Sequence, residues 1–163
     1  MLAGLIGVVS LVGVSSSVGS AAAAPVTADD GHLSYAVETF DYPNAAKILK
    51  ERGIALRKGD GHIVLAKNCD VTRDIVILTS DTGNPDHGRY CFKVTGTGKT
   101  GYLSLEIPKV VYIRTTDYHV QASLTSDGRT ISVDVPKNQK TQVGEGSNPP
   151  GSPTTLVELR VTG

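Results

Sequence analysis

From Ile54 to Val161 the chain repeats one device. Apolar residues occupy every second position of a short run, and a break of Gly, Pro, Asn or Asp follows about every eight to twelve residues. Side chains two apart share a face only in extended backbone, so this rhythm demands strands and excludes a helical bundle. Residues 71–79 contain the run Ile75, Val76, Ile77, Leu78. In 89–95, Tyr90, Phe92 and Val94 alternate with Cys91 and Lys93. In 102–107, Leu103, Leu105 and Ile107 alternate with Ser104 and Glu106 until Pro108 stops the strand. Residues 110–114 follow, and then 119–125, with Val120, Ala122 and Leu124 on one side. A turn through Ser126, Asp127, Gly128 and Arg129 leads into 130–135, where Ile131, Val133 and Val135 are expected to face inward. Residues 139–143 form a weak strand, and 156–161 direct Val157, Leu159 and Val161 inward. About nine such strands predict a mainly β fold, an antiparallel β-sandwich or barrel-like domain.

One short helix precedes the strands, near residues 42–52. Asp41 stands as its cap, Pro43 lies in its first turn, and Ala45 to Arg52 continue it until Gly53. Residues 54–56 and 62–66 flank Lys58, Gly59, Asp60 and Gly61, a composition that predicts a tight hairpin. Residues 144–153 are Gly, Pro, Ser and Asn almost throughout, which predicts an exposed loop.

No charged side chain occurs before Asp29. An apolar run over residues 2–14 leads to a Ser/Gly stretch and an alanine cluster ending at Pro25, the layout of a secretory signal peptide over residues 1–23. The run falls short of the roughly 20 residues that span a bilayer. Met1 to Gly4 carries no positive side chain, so the true start is expected upstream. Cleavage leaves a flexible leader over 24–31 and a single β-rich domain over 32–163. The product is expected to be secreted, with no membrane association after cleavage.

Export decides how the two cysteines read. Cys69 and Cys91 are an even pair in an oxidising compartment, so they predict one disulfide. Closing a loop of that length stabilises by about 3 kcal/mol. The 16 basic and 16 acidic residues balance without a basic cluster, which argues against nucleic acid as a partner.

The residues offer little chemistry. No Gly-x-Ser-x-Gly elbow is present. His32, His62, His87 and His119 have no metal-ligand spacing, so neither a metal nor another cofactor is expected. Asp86 and His87 are adjacent, but neighbours in extended chain point apart, and a surface loop explains them. Asp81, Asn84 and Asp86 cluster oxygens, which turn formation explains better than calcium. The expectation is a protein that is not an enzyme. Tyr112 and Tyr118 bracket a possible sugar-recognition loop, and Asn148, Pro149 and Pro150 are stiff enough for an inhibitor loop. A carbohydrate-binding or inhibitor domain is therefore the alternative, with an extracellular hydrolase behind it. Protein binding ranks first. Leu33, Tyr35 and Val37 share one face of an extended segment able to pair with another protein's sheet edge. With Val26 and Phe40 they make up the candidate protein-binding residues.

The run Gly59 to Leu65, Cys69, the segment Arg89 to Phe92 and the ending Val157 to Gly163 resemble a group of small exported actinobacterial proteins. In size and layout the chain is similar to the adaptor subunit of secreted umbrella toxin particles. That resemblance implies a protein that joins a repeat-containing toxin subunit to a lectin subunit, inserting its extended N-terminus, here within residues 25–40, into the lectin.

Overall fold

The alternating runs fold as two antiparallel sheets enclosing one core. The computed structural model describes residues 38–97 and 100–163. In chain order the elements are β1 (Phe40–Asp41), α1 (Ala45–Arg52), β2 (Ala55–Gly59), β3 (Ile63–Leu65), β4 (Ile75–Thr79), β5 (Arg89–Val94), β6 (Thr100–Ile107), β7 (Val110–Thr115), β8 (Val120–Ser126), β9 (Arg129–Val135), β10 (Lys140–Gln142) and β11 (Thr155–Thr162). One sheet runs β1-β2-β6-β11-β8-β9 and the other β10-β7-β4-β5-β3. The expected signal peptide, the leader and the strand carrying Leu33, Tyr35 and Val37 lie outside the described residues.

Inward-facing side chains of both sheets meet in that core. Leu56, Leu103, Leu105, Val120, Ala122, Leu124, Leu156 and Leu159 come from the first sheet, and Ile63, Ile75, Ile77, Tyr90, Phe92 and Ile113 from the second. This is the expected sandwich. Asp127 and Gly128, at φ 50° and 75°, form the two-residue turn that joins β8 to β9 with Ser126 opposite Arg129. Positive φ at both central residues matches the twist of the flanking strands.

Cys69 and Cys91 are bonded, with Cα atoms 5.3 Å apart. Cys91 lies opposite Val76, and the covalent link lays the Cys69 loop over the outward face of β5, which accounts for the burial of both side chains there. No helix among the described residues is long and apolar enough to cross a membrane.

Several local expectations need correction. Lys58 to Gly61 do not close a hairpin, since β2 pairs with β1 and β6 while β3 pairs with β5 in the other sheet. The Asp60 carboxylate accepts the His62 N–H at 2.9 Å, an Asx turn used here as an arch between sheets. Asp41 belongs to β1 and caps nothing; the helix starts at Ala45 after Asn44, which makes no side-chain cap bond. Gly53 does end it, donating its N–H to Leu49 O at 3.1 Å. Strand β4 begins only at Ile75, and Val71 is exposed in the preceding turn region.

Two inward assignments fail for physical reasons. Ile131 is 58% exposed because β9 is an edge strand. The facing sheet ends in the three-residue β10, whose Thr141 hydroxyl donates to Asp134 O at 3.4 Å, so cover reaches Val135 and stops short of Ile131. In β11 the register shifts between Leu156 and Glu158 against both neighbours. An irregularity of that kind reverses which side chains face the core, so Leu156 is buried in place of Val157. The 144–153 loop is only half exposed. Gly146 lies so close to Val111 that a Cβ there would clash with the Val111 carbonyl oxygen, whereas residues 148–153 are exposed.

Candidate functional site

The candidate site lies beside β1, an edge strand of the six-stranded sheet. Phe40 sits on the two-residue β1, opposite Gly59, with Asp41 opposite Lys58. The Tyr42 N–H extends this pairing to Arg57 O at 2.7 Å. Gly59 has no side chain to support the Phe40 ring, which is 66% exposed.

Tyr42 then ties the two sheets together. Its phenolic oxygen accepts the Leu65 N–H at 2.8 Å, linking the β1 edge of one sheet to the β3 edge of the other. Burial pushes the Tyr42 phenol above its ordinary range, opposed by the Leu65 N–H and by nearby Arg52.

Helix α1 closes one end. Its last residue, Arg52, donates from Nε and Nη2 to the two carboxylate oxygens of Asp86, each at 2.7 Å, and from Nη1 to Ala66 O at 2.7 Å. The guanidinium also lies 5.9 Å from the Tyr90 ring centre, and the Tyr90 hydroxyl donates to Arg52 O at 3.1 Å. Burial first and then the Asp86 charge push the Tyr90 phenol up, with Arg52 opposing. A two-pronged arginine–carboxylate pair fixes orientation as well as distance. It clamps the helix to the turn between β4 and β5.

Between these parts runs a groove of 610 Å³ whose walls include Phe40, Tyr42, Ile48, Ile63, Val64 and Leu65. Such a volume is ordinary for a ligand-binding cleft, and its lining is mostly apolar. On the other side of the Phe40 ring a second groove of 500 Å³ is bordered by Glu38, His62, Tyr102, Arg160 and Val161. Phe40 is the ridge between them. In the second groove His62 Nδ1 lies 3.4 Å from the Asp60 carboxylate. Among the described residues the first groove offers mainly apolar surface.

Of the candidate protein-binding residues, Val26, Leu33, Tyr35 and Val37 lie outside the described residues, and Phe40 lies at the centre of this site. The other sequence candidates fall elsewhere. Asp86 is not a surface carboxylate, because Arg52 holds both its oxygens in a half-buried pair. Asn84 accepts the N–H groups of Asp86 and Gly88 at 3.1 Å, and Asp81 accepts that of Gly83 at 3.2 Å, so this loop uses its oxygens on its own turns. His87 sits in the same turn at φ 49°. Tyr118 packs on the core, and the Lys140 ammonium lies 5.2 Å from the Tyr112 ring centre. Arg52 and the β3 edge escaped the sequence reading. Arg52 and Asp86 are 34 residues apart, and nothing in the pattern of either segment links them.

No protein-family model matches this chain, and no curated protein matches it.

Proposed function

We propose that this protein is an exported, non-catalytic binding module that joins other secreted proteins through its N-terminal segment. The observation that carries the reading is Phe40, an aromatic ring 66% exposed on the edge strand β1. Removing such a ring from water is worth about 1.5–3 kcal/mol, and aromatic residues, Phe among them, are enriched at protein interfaces relative to the rest of the surface. The preceding alternation of Leu33, Tyr35 and Val37 supplies further apolar positions on one face. The Cys69–Cys91 disulfide is compatible with an oxidising, extracellular setting. In its most specific form the reading is that of a toxin-particle adaptor, with a lectin subunit and a repeat-containing toxin subunit as partners. It rests on the resemblance carried by Gly59 to Leu65, Cys69, Arg89 to Phe92 and Val157 to Gly163.

Native mass spectrometry of the secreted complex tests this. The unaltered chain is expected to leave the cell and to carry at least one other secreted protein. The Phe40→Ser variant, and separately Leu33→Ser with Val37→Ser, are expected to lose it while remaining folded. If every partner stays bound to both variants, the segment is not the binding element.

A further inference from the structure

Among the described residues the two sheets end in four edge strands, β1, β3, β9 and β10. Three of them are two or three residues long, and so short an edge gives another chain little to pair with. Strand β9 has seven residues and pairs with β8 in an unbroken register, so no bulge bends its edge away. The turn through Asp127 and Gly128 sets Ser126 opposite Arg129, and the pair flanking a two-residue turn exchanges both backbone bonds. Bonded and unbonded pairs then alternate. The odd-numbered residues of β9 turn their backbone to β8, and Thr130, Ser132 and Asp134 turn theirs to the open side. Thr125 and Thr130, with hydroxyls 2.8 Å apart, show the close approach of an unbonded pair. The Asp134 carbonyl accepts the Thr141 hydroxyl from the open side. The N–H and carbonyl of Thr130 and of Ser132, and the Asp134 N–H, have no hydrogen-bond partner among the described residues. Thr130, Ile131, Ser132 and Asp134 are all exposed, Ile131 to 58%.

The complement of this edge is the edge itself. Set a second copy antiparallel about a twofold axis at Ser132, the middle of the strand. Ser132 then exchanges both bonds with its counterpart, and Thr130 does the same with Asp134 at either end. The Asp134 carbonyl has two lone pairs, so the Thr141 hydroxyl does not exclude a second donor. Ile131 comes opposite Val133 of the second copy, on the side where its own facing sheet stops short. Two exposed isoleucines and two half-buried valines thereby cover one another. The charges agree with this register. Lys137 of each copy comes to the Asp127 turn of the other, and both are exposed without an ion-pair partner among the described residues. Asp134, 3.8 Å from His119 of its own chain, comes beside Arg129 of the other. Pro136 has no N–H and ends the row of donors. We propose that β9 is a dimerisation edge, through which two copies of this chain join their six-stranded sheets antiparallel, centred on Ser132. Phe40 stands on the opposite edge of that sheet, five strand spacings or about 24 Å away, and takes no part.

The test uses the full chain. Sedimentation from about 10 μM to about 1 mM is expected to show a reversible dimer, weak because an edge contact is smaller than a stable interface. The Ser132 amide is expected to exchange more slowly as concentration rises. Both native cysteines are bonded to each other, so one new thiol reports the register. Under mild oxidation Ser132→Cys is expected to form a disulfide-linked dimer, since bonded partners lie about 5.5 Å apart at Cα. Ile131→Cys is expected to stay unlinked, because it lies diagonal to its counterpart at more than about 7 Å. Ser132→Pro removes a donor that faces away from β8, a change an edge strand tolerates, and is expected to abolish the dimer. Ile131→Lys is expected to do so without touching the backbone, while Phe40→Ser leaves the dimer intact. A monomer throughout the concentration range overturns the proposal. So do linking of Ile131→Cys as fast as Ser132→Cys, a dimer that survives both edge variants, and a dimer lost with Phe40→Ser. Protection of the Ser132 amide at every concentration means that the protein's own chain covers the edge, and overturns it too.

Discussion

Arg52 is the residue that ties helix α1 to the turn between β4 and β5. Its guanidinium serves Asp86 and the Ala66 carbonyl while its own carbonyl accepts from Tyr90. Arg52→Met is expected to destabilise by about 3 kcal/mol, because it strands a half-buried carboxylate. Adding Asp86→Leu is expected to recover part of that loss, since removing both partners costs less than orphaning one. Chemical denaturation of the three variants checks both statements. The phenols add a pH dependence. Tyr42 and Tyr90 titrate above the ordinary value of 10.0 in the folded protein, so the unfolded chain gives up those protons first. Stability is therefore unaffected by them below pH 10 and falls as pH rises beyond it. Denaturation midpoints across alkaline pH test this, and Tyr42→Phe with Tyr90→Phe should flatten the slope.

At the scale of elements, the alternation legible in the sequence located nearly every strand but could not say what lies beside it. Lys58 to Gly61 has the composition of a hairpin, yet the same residues make an arch, because turn chemistry fixes local backbone and not the sheet that the chain next joins. Ile131 sits in a pattern identical to that of central strands, and its exposure follows only from where the facing sheet stops. The shift in β11 is likewise silent, since an irregularity leaves the apolar residues in place and changes the face they take. That shift carries a sharp test. Leu156→Ala is expected to cost about 3 kcal/mol by opening a cavity, whereas Val157→Ala is expected to cost under about 1 kcal/mol. Equal losses by thermal denaturation would mean that the register is wrong. At the candidate site, Phe40 could be named from the sequence because it follows an alternating segment. The β3 edge could not, since whether a strand is flanked on one side or two is a property of the sheet order.

For the whole molecule the disulfide is the one covalent constraint among the described residues. It closes a separation of 22 residues, from a loop to the middle of β5. Cys69→Ala with Cys91→Ala is expected to cost about 3 kcal/mol, chiefly by freeing the unfolded chain, and calorimetry with and without reductant measures it. The six-stranded sheet imposes a different constraint, one of timing. Its strand β11 lies between β6 and β8, although it is the last of the described strands to be synthesised. Pairings this distant along the chain form slowly. Until residues 155–162 leave the ribosome, β6 and β8 each keep an unsatisfied side, so the sheet cannot close behind the growing chain. A polypeptide built in this order can assemble its five-stranded sheet first and completes the six-stranded one only when the last described strand arrives.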